Sequence, residues 1–206
     1  MKKNDLRILA HEIKNPLAVS KGYLEMLDEK NIFKYKDIII KEINNSIEIL
    51  DNYMEQNNMT LKKEELDINL LLNDIEENLT NYLNEKNVNL KINYLDDDIY
   101  LYADYQKLKQ VFYNIIKNSV ESNAQNIEIS YSVSKKKIYI TIFNDGDKID
   151  NSIIDKIGSN YSNKILGHGI GMTLSKEIIQ LHEGNIKYKN NIGGVSVIIT
   201  LNISWR

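Results

Sequence analysis

The run His11-Glu12-Ile13-Lys14-Asn15-Pro16-Leu17 sets a nucleophilic imidazole, a carboxylate and an amide within about one and a half turns of a helix. A lone histidine on an amphipathic helix is ordinarily a surface or satisfied core residue, so this run counts only in company. Asn114 and Asn118 stand four residues apart and so share one helix face. Asn144-Asp145-Gly146 is a polar turn at a strand end, where ligand-recognising groups commonly sit. Gly167-His168-Gly169-Ile170-Gly171 leads into a helix, where alternating glycines allow close backbone approach and aim free N–H groups at an anion.

Each stretch has a bland reading by itself: surface asparagines, a turn, a glycine-rich helix start. The functional reading is a nucleotide site. The Asn114 and Asn118 oxygens suit a hard cation such as Mg²⁺, which takes oxygen ligands together with a triphosphate, and the glycines suit the phosphates. The glycine stretch is no P-loop, since no Gly-Lys-Ser or Gly-Lys-Thr follows, and a poor dinucleotide fingerprint, since no strand immediately precedes it. A long polar segment, Asp150 to Leu166, precedes it instead, and that length predicts a lid.

The elements that must position these residues follow from periodicity. Leu6, Leu9, Ile13, Leu17, Leu24 and Leu27 mark an amphipathic helix, with a kink expected at Pro16. After Asp28-Glu29-Lys30-Asn31, a second helix carries Ile40, Ile43, Ile47, Leu50 and Met54 as a heptad-like seam. Such a hairpin cannot bury its stripes alone, and two hairpins would close a four-helix bundle; packing on the remainder of the same chain is the bland alternative. Gln56-Asn57-Asn58 reads as a linker. Beyond it come strand Leu66–Ile68, helix Asn69–Lys86, strands Val88–Tyr94 and Tyr100–Ala103, a helix capped by Asp104 and running to about Asn123, and strands Ile127–Val133 and Ile138–Asn144. Helix Met172–His182 and a closing hairpin, Ile186–Lys189 with Val195–Ile203, complete a mixed α and β region.

Composition narrows the classes. A net charge of -3, with Lys and Glu alternating, gives no reason to expect nucleic acid as a partner. The absence of cysteine excludes a disulfide framework, thiolate zinc ligands and a cysteine nucleophile. Met1-Lys2-Lys3-Asn4-Asp5 leads into the first helix without the apolar core of a signal peptide, and no run approaches the roughly 18 apolar residues of a span. A cytoplasmic protein without direct membrane insertion is expected. His168 reads as a lid residue without chemistry, His182 as a group meeting the dipole at its helix end, and Trp205 as a packing anchor.

In order and spacing, the His11 run, Asn114 and Asn118 within Gln110 to Ser119, Asn144-Asp145-Gly146 and Gly167 to Gly171 resemble the successive boxes of two-component sensor histidine kinases. The resemblance covers almost the whole chain, with orphan and sporulation-type kinases looking closest. It implies an α+β architecture: an N-terminal helical hairpin, 1–57, forming a dimeric four-helix bundle for dimerisation and phosphotransfer, then an α/β-sandwich ATP-binding domain of the Bergerat/GHKL type, 58–206. It further implies that His11 attacks the γ-phosphorus of ATP, that Glu12 holds its tautomer and takes the proton, and that Asn15 orients water for dephosphorylating a response regulator. Asn118 would be the Mg²⁺ ligand with Asn114 supporting metal or phosphates, Asn144 would meet adenine, and Gly146, Tyr161, Lys164, Gly167, Gly169 and Gly171 would close on the nucleotide. The expected reaction is autophosphorylation of His11 and transfer to an aspartate of a receiver domain, within a homodimer.

Three departures from the family pattern stand out. Asn144 replaces the family's aspartate, Lys148 takes the place of the second glycine of Asp-x-Gly-x-Gly, and Glu121 replaces a basic residue, leaving Lys117 or Lys164 to supply that charge. Two rival readings therefore stay open: a degenerate kinase serving as a docking or phosphotransfer module, and a phosphatase-dominant regulator acting through Asn15. With ten residues ahead of His11, a sensor domain is not expected in this chain, and the signal is expected from a partner.

Overall fold

In the computed structural model, residues 3–57, 59–95, 97–154 and 169–203 are described. They fall into two compact units, the first built on the chain up to Met59 and the body of the second on the chain from Thr60 onward.

The first unit is a helical hairpin of α1 (Lys3–Glu25) and α2 (Ile32–Asn57). α1 continues through Pro16 without interruption. The turn is fixed by a reciprocal pair: Asp28 Oδ1 accepts the Lys30 and Asn31 N–H groups at 2.9 Å, and Asn31 Oδ1 accepts the Asp28 N–H at 2.9 Å. Between the helices, the Tyr23 and Tyr35 rings meet edge to face at 4.9 Å, and the buried Ser20 hydroxyl donates to Ile39 O. Ile39 is buried, but Ile40, Ile43, Ile47, Leu50 and Met54 are 39–60% exposed. The seam read from the sequence is thus a separate face from the one that joins α1 to α2, and it stands exposed among the described residues.

The second unit sets helices over a mixed sheet. Its strands β2 (Asn89–Asn93), β4 (Asn126–Ser134), β5 (Lys137–Asn144), β7 (Gly194–Asn202) and β6 (Asn185–Asn191) are hydrogen-bonded in that order, with only β2 and β4 parallel. A separate antiparallel pair joins β1 (Glu64–Asp67) to β3 (Tyr100–Ala103). Alternation buries Ile127, Ile129 and Tyr131 of β4 and Ile138, Ile140 and Ile142 of β5, while β7 buries Val195, Val197, Ile199 and Leu201 together with Ser196 near its start. Their partners in the core are Leu71, Leu72 and Ile75 of α3 (Ile68–Glu85), Leu108, Val111, Phe112, Ile115 and Ile116 of α4 (Tyr105–Glu121), and Leu174, Ile178 and Ile179 of α6 (Gly169–Leu181). One short helix, α5 (Asn151–Ile154), follows β5. Asp74 ties α3 to α4 by accepting from the Tyr105 hydroxyl and pairing with Lys109 Nζ at 2.6 Å.

The expected elements are present with shifted ends. β1 is Glu64–Asp67, because Asp67 accepts the Asn69 N–H and so caps α3 where a continued strand was expected. α6 begins at Gly169, so Gly169 and Gly171 lie in its first turn rather than in a loop ahead of Met172.

Candidate functional site

In the first unit, His11 lies exposed on α1 beside half-buried Glu12, with Asn15 exposed one turn on. Burial raises the Glu12 carboxyl above its ordinary range, and neighbouring His11 pulls partly the other way. A carboxyl lifted in this way is better matched to holding a proton for an adjacent imidazole.

In the second unit, the site is organised by α4. Asp104 caps it, accepting the Lys107 N–H at 3.0 Å through Oδ1 and the Lys62 N–H at 2.7 Å through Oδ2. The Asp104 N–H donates to His182 Nε2 at 2.9 Å, while His182 Nδ1 meets Ile178 O at 2.7 Å and so carries the proton. His182 therefore does meet a last-turn carbonyl of α6, as its position suggested. It is not a surface charge, however, because burial pushes its pKa down and its second nitrogen must stay an acceptor. This neutral ring locks the start of α4 to the end of α6.

Asn114 and Asn118 both lie half-buried along α4. Asn114 Nδ2 reaches Gly171 O and Ser175 Oγ, each at 3.4 Å, and Gly171 packs against the Asn114 amide. With the nitrogen engaged toward α6, the Asn114 oxygen is the end left to accept or ligate. Asn118 occupies the last turn, its carbonyl accepting the Ser122 N–H at 3.0 Å. Among the described residues no cluster of His, Asp or Glu could hold a metal by itself. Amide oxygens on one helix face fit a cation brought in largely on a ligand's own oxygens.

Asn144 ends β5 with its side chain buried on the core face, 4% exposed. Its Oδ1 accepts the Gly146 N–H at 3.1 Å. Gly146 must be glycine here, since a Cβ would lie 2.5 Å from Ser122 O and from Ser122 Oγ. Across the sheet, a Cβ on Gly194 would lie 1.9 Å from Asn144 O, so only glycine lets the start of β7 lie this close to the turn.

Asp145 and Asp147 were not singled out in the sequence, yet they fasten this turn. Asp145 accepts the Gln125 and Asn126 N–H groups at 2.8 and 2.9 Å and Asn126 Nδ2 at 2.7 Å, and the Asn126 bonds first among these hold its carboxyl below the usual range. Asp147 accepts from Asn123 Nδ2 at 2.7 Å, and its N–H donates to Ser122 O at 2.7 Å. The end of α4 and the end of β5 are thereby one rigid piece. The legible signal was two acids flanking a glycine, opposite a polar run, Ser122-Asn123-Ala124-Gln125-Asn126.

Tyr161, Lys164, Gly167, His168, Trp205 and most of the expected lid lie outside the described residues. The structure brings together Asn114 with Gly171, and Asn144 with Gly146, within the second unit. His11, Glu12 and Asn15 belong to the first.

The His Kinase A (phospho-acceptor) domain family matches residues 2–62, and the Histidine kinase-, DNA gyrase B-, and HSP90-like ATPase family matches residues 103–204. Together they account for most of the chain, in the order a histidine kinase core requires. The chain belongs to the two-component sensor histidine kinases, of which it is a catalytic core. It is similar to Sporulation kinase B of Bacillus subtilis (strain 168), 31% identical over 94% of this chain and 48% of that protein. Sporulation kinase A of the same organism is 30% identical over 86% of this chain and 30% of that protein. The chain thus spans about half or less of the length of these relatives. In fold it matches histidine kinase ThkA, solved in complex with response regulator protein TrrA, with a TM-score of 0.84 at 24% identity over 98% of this chain and 62% of that one. Acinetobacter baumannii histidine kinase AdeS matches with a TM-score of 0.76 at 17% identity, over 95% of this chain and 98% of that one. Among the described residues, no helix is long and apolar enough to cross a membrane.

Proposed function

We propose that this chain autophosphorylates His11 from a magnesium-bound nucleoside triphosphate, ATP by the family's usage, and passes the phosphoryl group to an aspartate of a response regulator. What carries the reading is the presence of two sites: an exposed His11 beside half-buried Glu12 in the first unit, and a nucleotide cradle in which Asn114 meets Gly171 at the start of α6 in the second. Residues 1–57 serve dimerisation and phosphotransfer, and 58–206 bind the nucleotide.

In the transfer, an imidazole nitrogen of His11 bonds to the γ-phosphorus as the bond to the bridging oxygen breaks, releasing the diphosphate. The imidazole proton passes to Glu12, whose carboxyl is, through burial, a better proton acceptor than an ordinary exposed carboxylate. Asn118 and the Asn114 oxygen would hold Mg²⁺, which when bound neutralises phosphate charge. Gly146 shapes the base end, and Gly167, Gly169 and Gly171, with Tyr161 and Lys164, close over the phosphates. The receiver's aspartate then attacks phosphorus and the N–P bond breaks, restoring the histidine.

The homodimer forms through the exposed Ile40, Ile43, Ile47, Leu50 and Met54 face, which a second hairpin would bury. A cytoplasmic setting suits a partner receiver. A second reading, response-regulator phosphatase, is favoured by Asn15 standing exposed one turn from His11. Calorimetry with Mg²⁺ and nucleotide, followed by addition of a receiver domain to the phosphorylated protein, tests the scheme. The scheme expects binding and then movement of phosphate to the receiver. Absence of any nucleotide binding would leave the docking module as the better account; binding with receiver dephosphorylation but no forward transfer would favour the phosphatase.

A further inference from the structure

We propose that Asn190 is a positioning residue of the nucleotide site: its side-chain amide clamps the backbone of Ile149 and so holds the far end of the turn that contains Gly146. The inference rests on the reading above, in which that turn shapes the base end of the site, and it adds to the site a residue from another strand.

Asn144, Val195 and Asn190 form one row across β5, β7 and β6, since Val195 pairs with both asparagines. The chain leaves this row at Asn144 and returns to it at Ile149. Asn190 Oδ1 accepts the Ile149 N–H at 3.0 Å, and Asn190 Nδ2 donates to Ile149 O at 2.7 Å. One side chain thus satisfies both backbone groups of one residue, as a neighbouring strand would. A carboxylate offers no donor for Ile149 O, and a serine hydroxyl has a single atom to divide between the two groups. Asn190 Nδ2 also donates to Asn151 Oδ1 at 2.9 Å, which ties the first residue of α5 to the same amide.

The other fastenings of the turn lie on its opposite side. Asp145 is bound to Gln125 and Asn126, and Asp147 to Ser122 and Asn123, all between α4 and β4. They fix the turn as far as Asp147 and leave the hold on Ile149 to Asn190. Lys148 stands where the family pattern has its second glycine. Left-handed backbone at non-glycine positions is confined, among the described residues, to Asn87, Asn123, Lys135 and Glu183, so the backbone at Lys148 does not call for glycine. The turn is therefore held in one shape despite that departure, and Asn190 supplies the hold on its β6 side. The clamp stands on firm support, because Asn190 is paired within the sheet and Asn191 beside it donates to Ser196 Oγ at 2.6 Å.

The test is autophosphorylation of the full chain with γ-labelled ATP and Mg²⁺ over a range of ATP concentrations, comparing wild type with Asn190→Ser and Asn190→Asp, with folding checked by circular dichroism. Releasing the turn weakens nucleotide binding without touching the groups that transfer phosphate. The half-saturating ATP concentration is expected to rise about tenfold in Asn190→Ser, and at least as much in Asn190→Asp, whose carboxylate would face Ile149 O, while the rate at saturation stays within about twofold. An unchanged half-saturating concentration, or a fall in the saturated rate alone, overturns the inference while leaving the kinase reading standing. A loss of activity that only tracks the loss of folded protein makes Asn190 a structural residue and overturns it as well. A folded wild type that takes no label overturns both. Asn190→Ser, which removes the clamp without adding a charge, decides by itself if Asn190→Asp does not fold.

Discussion

His182 offers a quantitative check on how the second unit is held together, because its role sets both a magnitude and a pH dependence. The ring accepts the Asp104 N–H and donates to Ile178 O from a site only 6% exposed. His182→Ala leaves a buried N–H without a partner, which costs about 1–3 kcal/mol, and adds a cavity, so a loss of about 2–4 kcal/mol is expected at pH 7.5. Burial places the folded pKa below the unfolded value of about 6.5. A depressed pKa means that the unfolded chain takes up the proton first, so this contribution is complete above about pH 6.5 and is lost as pH falls toward the folded pKa. Within that window the slope approaches about 1.4 kcal/mol per pH unit for one proton. Urea unfolding of the full chain, followed by far-ultraviolet circular dichroism from pH 5 to 8, should show wild type losing stability more steeply than His182→Ala below pH 6.5, the two curves converging. Parallel curves across that range would refute a neutral, bridging His182.

Three other outcomes follow from the packing. Gly146→Ala drives a Cβ to 2.5 Å from a backbone carbonyl, Ser122 O, and should cost about 1–3 kcal/mol, read as a fall of several degrees in Tm. Asp145→Ala should destabilise more at pH 7 than in acid, because a carboxylate with a lowered folded pKa contributes fully above its unfolded pKa of about 3.9 and loses that contribution as pH falls through the lower folded value; a loss that does not shrink on acidification in urea titrations would count against the clasp. Ile47→Glu, at a half-exposed seam position, should shift sedimentation from dimer to monomer with little change in helicity, whereas an unchanged sedimentation coefficient would place any dimer contact elsewhere.

Legibility varied with the kind of interaction. Helices with clean apolar stripes and strands with strict alternation, such as α4 and β5, were readable because burial follows the period. Asp104 as a cap was readable because capping is local in sequence. The His182 bridge was not, since its partner lies 78 residues away and only the folded chain brings a backbone N–H to its second nitrogen. Asp145 was passed over for the same reason: its three donors come from Gln125 and Asn126, while its neighbour Asn144 drew notice through motif position. The start of α6 was misplaced because Gly169 and Gly171 are poor helix formers that are nonetheless held in the first turn, Gly171 against Asn114. On the hairpin, the seam was legible as a pattern, but only the structure separates it from the face that joins α1 to α2 at Ser20 and Ile39.

The central claim, that His11 takes the phosphoryl group from a nucleotide held by Asn118, is tested most directly by incubating wild type, His11→Gln and Asn118→Ala with γ-labelled ATP and Mg²⁺. The account predicts acid-labile, base-stable label on wild type that maps to His11 and is lost in both variants. Label persisting on His11→Gln, or an unlabelled wild type that binds the nucleotide as a folded dimer, would contradict it.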